Sequence, residues 1–158
     1  ARVGGAKMAV NVDISGKILE KGRLNYSLNG LECLPGEFFK GNAFEYLAWA
    51  KKREKLFDII VLDPPSFARF KGFSFNVQRD LDSLVEASSA VLAPDGFLMV
   101  SSNYSAFRLE NFAQKALNNV KKICGNAQII WKRSQSADFV GTGLTKDSSL
   151  CAVLIQNL

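Results

Sequence analysis

The sequence predicts an α/β fold built on a mostly parallel sheet, and three observations predict it. Short apolar blocks alternate with longer segments whose apolar residues recur at helical spacing, the pattern of parallel strands joined by crossover helices. Phe57-Asp-Ile-Ile-Val-Leu62 reads as a strand buried on both faces. Two blocks end in an acid, Asp13 and Asp63, where a sheet of this kind turns into its ligand crevice.

The elements follow in order. Ala1-Arg-Val-Gly-Gly5 reads as the tail of a helix, with Gly4-Gly5 as its C-cap and turn. A doubly wound sheet normally opens with a strand and a Gly-rich turn into a helix, so the chain is expected to lack the first strand and Gly-rich loop of its fold. Lys7 to Asp13 is a strand, and Ser15 to Leu28 a helix closed by Asn29-Gly30. Glu37 to Gly41 forms a strand, and Ala43 to Lys55 a helix with Phe44, Leu47, Ala48 and the Lys51 stem facing inward. Phe57 to Leu62 is followed by a loop from Asp63 to about Asn76. Leu81, Leu84, Val85, Ser88 and Leu92 mark the next helix, and Ala93-Pro-Asp-Gly96 turns into a strand from Phe97 to Ser101. Leu109, Phe112, Ala113, Ala116, Val120 and Ile123 share the buried face of a helix. Ala127 to Lys132 and Leu150 to Ile155 are strands joined by a long polar connection, a length that goes with function or mobility.

Composition excludes several function classes. With 158 residues, 47% hydrophobic and 22% charged, the chain has enough apolar material for one globular core and is neither disordered nor fibrous. Its longest apolar run falls far short of the roughly 20 residues that span a bilayer, and a cytoplasmic location is expected. Cys33, Cys124 and Cys151 are widely spaced, with no Cys-x-x-Cys pair, and read as reduced thiols filling the core. Histidine is absent, which removes His-dependent triads and argues against a zinc site. The net charge of +5 favours a polyanionic partner.

The strand-end acids carry the functional signal. Asp13 stands where a carboxylate accepts hydrogen bonds from a ribose diol; the alternative is helix capping, for which Ser15 is the better placed residue. Asp63-Pro64-Pro65-Ser66 is more specific. Two prolines cannot continue a sheet and donate no N–H, so the segment forms a rigid acceptor site for a planar, hydrogen-bond-donating ligand, with an ordinary turn as the bland alternative.

Val10-Asn-Val-Asp-Ile-Ser15, Gly41-Asn-Ala-Phe-Glu-Tyr-Leu47, Phe57-Asp-Ile-Ile-Val-Leu-Asp-Pro-Pro-Ser-Phe67 and Ser101-Ser-Asn103, in this order, resemble the class I S-adenosylmethionine-dependent rRNA methyltransferases. Asp63-Pro-Pro-Ser-Phe-Ala-Arg69, Phe75-Asn-Val-Gln-Arg-Asp80 and Ser101-Ser-Asn-Tyr-Ser-Ala-Phe107 are most similar to the guanine-N7 (RlmK) half of the RlmKL group. The resemblance implies a Rossmann-like sheet with an antiparallel C-terminal strand, S-adenosylmethionine as cofactor, large-subunit rRNA as partner, and residues 1–158 as one N-terminally truncated catalytic domain. It implies that Asp13 and Ile14 hold the cofactor ribose and that Asn42, Ala43 and Phe44 meet the adenine. Asp63, Pro64 and Pro65 would line the transfer site, with Asp63 also touching the cofactor. Asn42 departs from the Asp expected there; its amide oxygen still accepts, but without charge.

Cytosine C5 is a poor nucleophile, and its methyltransferases first add a cysteine thiolate to the ring. Relatives of that type carry the thiol in a Ser-Cys-Ser segment, which here is Ser101-Ser102-Asn103. Guanine N7 has an exposed lone pair and needs only alignment and exclusion of water. An exocyclic amine remains open, because Asp63 and the Pro64 carbonyl could accept from it. Ser66, Phe67, Arg69, Arg79 and Asn103, with Phe70 and Lys71, are expected to contact the RNA by stacking and phosphate binding; the alternative makes the aromatics core and the cations a solvated face. A nicotinamide dehydrogenase would also use an acid at Asp13 but has no role for Asp63-Pro-Pro, and a fragment that only binds RNA or a partner is the third class. The chain by itself is expected to be inactive.

Overall fold

The structure, a computed structural model, describes residues 1–70, 72–134 and 150–158. Lys71, most of the polar connection ahead of Leu150 and the Phe70 side chain lie outside the described residues. Two compact units divide the chain, Ala1–Trp49 and Ala50–Leu158.

The first unit opens on a single 3₁₀ turn, Arg2–Gly4, which Gly5 ends at φ 94°, a left-handed conformation that suits a residue without Cβ. The ladder of strand β1 is only Asn11–Asp13, shorter than the apolar block that predicts it. Helix α1 spans Gly16–Leu28, and Ser15 caps it by accepting from the Ile18 N–H at 3.4 Å. Strand β2, Phe38–Lys40, pairs with β1 in parallel, Asp13 opposite Lys40. Helix α2, Ala43–Lys52, crosses the boundary between the units and ends three residues before the expected Lys55, where Glu54 turns to φ 52°. Its buried side chains are Tyr46, Leu47 and Ala50, whereas Ala48 and Lys51, expected inward, are exposed. The aromatic contacts of Tyr46 with Phe39 and Trp49 explain the rotation, since large rings bury more apolar area than the alanine they displace.

Glu37 organises this unit from inside. Fully buried, it accepts from the Ala9 N–H at 2.9 Å with one oxygen and from the Leu34 N–H at 2.8 Å with the other, and Arg2 lies 3.2 Å away. A buried carboxylate is tolerable only with such partners.

The second unit holds strand β3 (Phe57–Leu62), β4 (Phe67–Phe70), β5 (Phe73–Asn76), helix α3 (Val77–Ser89), β6 (Leu92–Ser102), helix α4 (Leu109–Cys124), β7 (Ala127–Ser134) and β8 (Cys151–Asn157). The main sheet has the order β3-β6-β8-β7. β3 and β6 are parallel, while β8 runs against both β6 and β7, so three strands share a direction and the C-terminal one opposes them. Leu92 was expected on a helix but opens β6 opposite Phe57; Asp95 at φ 59° and Gly96 bend the chain there, and a Cβ on Gly96 would lie 2.8 Å from the Ala93 carbonyl. The expected loop after Asp63 contains an antiparallel hairpin, β4 with β5, turned at Gly72 with φ 79°. The sequence there has no Asn-Gly or Asp-Gly pair of the kind that marks such a turn, and Gly72 between two short aromatic alternations is a weak signal for it.

The two faces of the main sheet differ. Leu98, Val100, Val153 and Ile155 are at 0% exposure on the face that α3 and α4 cover. On the other face Ile59 and Val61 are 66% and 61% exposed, which corrects the expectation that β3 is buried on both sides. Ile123, expected on the buried face of α4, is also exposed.

Candidate active site

In the first unit the candidate residues gather at the carboxyl ends of two parallel strands. Asp13 ends β1, and its carbonyl accepts from the Gly41 N–H at 3.0 Å just beyond β2, so Asp13 and Asn42 share one end of the ladder. Asp13 Oδ1 accepts from the Ser15 N–H at 2.6 Å, an Asx turn that fixes the side chain, while Ser15 caps α1 as the sequence suggests. Half-buried Ile14 lies within that turn. Asn42, 7% exposed, accepts from the Phe44 N–H at 2.9 Å and so starts α2, with Ala43 and Phe44 half-buried behind it. This end therefore offers a carboxylate, an amide and a helix N-terminus beside apolar surface.

In the second unit Asp63 follows directly on β3. Ser101 of β6 donates to its Oδ1 at 2.7 Å. Ser66 donates to Asn103 at 3.3 Å, a second tie between the segments that leave β3 and β6. Pro64 and Pro65 connect the two ties. Ser102, between them in sequence, is fully buried and accepts from the Tyr104 N–H at 3.2 Å. The Ser66 carbonyl accepts from the Val77 N–H, which closes the base of the β4–β5 hairpin. On that hairpin Phe67 is 52% exposed, with the Arg69 guanidinium 5.2 Å from its ring centre, an exposed cation–π pair.

Arg79 is engaged elsewhere. Its guanidinium donates to both oxygens of Asp80 and to the Ser74 carbonyl, and Asp80 in turn accepts from the Asn76 N–H at 2.8 Å. The Arg79 hydrogen bond, with the one from Asn76, holds the Asp80 carboxyl below its ordinary range, and Asp80 raises Arg79 in return. This constellation braces the start of α3 against the hairpin.

Cys151 of β8 pairs with Ser102 of β6, so one buried thiol lies on the strand beside this chemistry. Burial pushes the Cys124 and Cys151 thiols up, with Arg108 opposing in part at Cys151, and both face backbone carbonyls. Cys33 is exposed rather than core, at odds with the sequence expectation. Among the described residues no three His, Cys, Asp or Glu side chains form a metal-binding group, and no helix is long and apolar enough to cross a membrane. Sequence reasoning missed Ser101, Ser102 and Glu37 as individuals. Ser101-Ser102 was visible as a segment, but its partners depend on strand register; Glu37 follows a Pro-Gly pair and carries no signal of burial.

Comparison with known proteins identifies the family. A family model described as S-adenosylmethionine-dependent methyltransferase matches residues 1–123. Ribosomal RNA large subunit methyltransferase K of Neisseria meningitidis is 34% identical over 126 residues, which cover 77% of this chain and 36% of that protein. Ribosomal RNA large subunit methyltransferase I of Aeromonas salmonicida is 32% identical over 155 residues, covering 97% of this chain and 39% of that protein. The chain thus spans little more than a third of the length of these relatives. The crystal structure of SMU.776 complexed with SAH has the same fold, with a TM-score of 0.82, 23% identity, and coverage of 99% of this chain and 40% of that one. With its Rossmann-like sheet and a family match over most of its length, the chain belongs to the S-adenosylmethionine-dependent methyltransferase family.

Proposed function

We propose that this chain is part of an enzyme that methylates a base of large-subunit ribosomal RNA in the cytoplasm, at guanine N7, by direct in-line transfer without a covalent adduct. The observation that carries the choice of base is Ser102. At the segment where cytosine-C5 chemistry needs a thiolate, this side chain is a fully buried hydroxyl already occupied by the Tyr104 N–H. Cys151, which pairs with Ser102 across the β6–β8 ladder, is buried with its thiol donating to the Phe107 carbonyl, and burial shifts it and Cys124 toward the unreactive neutral form.

The residues fit the cofactor. Only one oxygen of the Asp13 carboxylate is engaged by the Asx turn, and the other is suited to a ribose hydroxyl. Ile14 lies beside Asp13 at the ribose, Ala43 and Phe44 supply apolar contact for an adenine, and Asn42 a polar edge. When bound, S-adenosylmethionine supplies an electrophilic methyl on a sulfonium sulfur. Asp63, Pro64 and Pro65 then orient the base and exclude water, which is sufficient for a nucleophile with a free lone pair. Phe67 and Arg69 present an aromatic face with a cation, suited to an extruded base and its phosphate, and the net charge of +5 acts in the same direction. Ser66 and Asn103 border that path. Arg79 contributes through its brace on the hairpin.

One observation favours a second reading, methylation of an exocyclic amine. Asp63 keeps a carboxylate oxygen beyond the one that Ser101 engages, and an amine would donate to it, whereas N7 and O6 of guanine only accept. Tritiated S-adenosylmethionine with unmodified large-subunit rRNA decides between them. Label in a guanine whose glycosidic bond is then cleaved by borohydride and aniline supports N7, and label in an exocyclic amine supports the alternative. Micromolar binding of S-adenosylmethionine with no transfer to any rRNA would instead leave a cofactor-binding fragment.

A further inference from the structure

The two strand-end acids are held in different ways, and the prolines explain why. At Asp13 the carboxylate is fixed locally by the N–H two residues on, that of Ser15. At Asp63 the two following residues are Pro64 and Pro65, which have no N–H, so an Asx turn cannot form. The donor comes from another strand. β3 and β6 are parallel neighbours with Leu62 opposite Val100, and this register sets Ser101 beside Asp63. Ser101 is 6% exposed, and its hydroxyl lies 2.7 Å from Asp63 Oδ1 and 3.3 Å from the Leu62 carbonyl. One hydroxyl proton serves one acceptor at a time, and the shorter bond to an anion is the stronger.

We infer that Ser101 is a positioning residue for methyl transfer: it engages one oxygen of Asp63, fixes the rotamer of a side chain that its prolines leave without local donors, and aims the second oxygen at the substrate base. The inference rests on the proposed role of Asp63-Pro64-Pro65 as the transfer site. An unanchored Asp side chain distributes over staggered rotamers, and transfer by alignment loses rate when the aligning group wanders.

The test is a double-mutant cycle in the full-length enzyme of which this chain is proposed to be part, with Ser101→Ala, Asp63→Ala and the pair, and Ser101→Thr as the variant that keeps the hydroxyl. Methyl transfer to large-subunit rRNA and thermal unfolding are read on all of them. Ser101→Ala is expected to lower kcat about tenfold, the scale of one hydrogen bond to a charged group, with KM for S-adenosylmethionine within about twofold. Ser101→Thr restores the rate, and in the Asp63→Ala background the Ser101 change has no further effect. A Ser101→Ala enzyme with wild-type kcat, or a loss that multiplies fully with that of Asp63→Ala, overturns the inference. If the full-length wild-type enzyme transfers no methyl at all, the proposed function falls, and the unfolding midpoints then decide the pair by themselves. Shifts for Ser101→Ala and Asp63→Ala that simply add show no coupling and also overturn it; non-additive shifts retain the contact.

Discussion

Asp13 and Asp63 occupy equivalent places, each closing a short strand that has a parallel neighbour, yet one is held by its own next turn and the other by a residue 38 positions away. The difference follows from two residues. Ile14-Ser15 offers an N–H where Pro64-Pro65 offers none, so the first carboxylate is oriented by local chemistry and the second by sheet register. A local anchor survives shifts elsewhere in the sheet, whereas a cross-strand anchor is lost if β6 slips by one residue, because the slip would turn Ser101 to the opposite face. Half-buried Asp13 is accordingly suited to a fixed cofactor contact, and exposed Asp63 to a substrate that arrives from solvent.

The largest effect expected from this contrast is kinetic. Asp63→Ala should reduce kcat about a hundredfold, in line with removal of a preorganised polar group at a transfer site, while the Kd for S-adenosylmethionine measured by titration calorimetry stays within about twofold. A parallel collapse of cofactor binding would break the division of labour between the two acids. Next comes the scaffold behind the cross-strand anchor. Val100 precedes Ser101 at 0% exposure, so Val100→Ala should cost about 2 kcal/mol in denaturant unfolding from two buried methyl groups and the cavity they leave. Asp13→Asn keeps the acceptor that the Ser15 N–H needs and removes only the charge. It should therefore weaken S-adenosylmethionine about tenfold, the worth of the charge on one hydrogen bond, with kcat at saturation unchanged. Smaller again is Ser15→Ala. The cap distance of 3.4 Å is long, so a loss near the low end of the capping range, about 0.5 kcal/mol, is expected from thermal unfolding.

What was legible in the sequence follows the same division between local and distant causes. The order of strands and helices, Ser15 as the cap and the turn at Gly5 all depend on residues within a few positions, and they were readable. The orientation of α2 was not, because Ala48 and Tyr46 compete for the interior through packing with Phe39 and Trp49. The β4–β5 hairpin was hidden by its brevity, four residues a side, and by aromatic residues that also suit a loop at a binding site. At the candidate site the acids were legible as strand ends. The donor to Asp63 was not, since nothing near residue 101 specifies which residue of β3 it will face until the register is known. Arg79 shows the converse: its sequence neighbour Asp80 was in view, but the fork that both form with Ser74 and Asn76 needs the hairpin to bring those backbone groups together.

The smallest effect tests whether β3 holds Asp63 by its edge or by its face. Ile59, Val61 and Asp63 alternate onto one face of the sheet, in register with Phe97, Met99 and Ser101 of β6. That is the face on which Val61 is 61% exposed, so the carboxylate and its hydroxyl partner stand at the end of an apolar row that solvent reaches. If the position of Asp63 is set by backbone pairing to β6 and by Ser101, the side chain of Val61 contributes little. Val61→Thr, which keeps the branched shape suited to a strand, should then shift stability by no more than about 0.5 kcal/mol and leave kcat intact. A loss above about 1 kcal/mol, the size associated with a packed side chain, would mean that this row is covered in solution and that the face takes part in holding the acid.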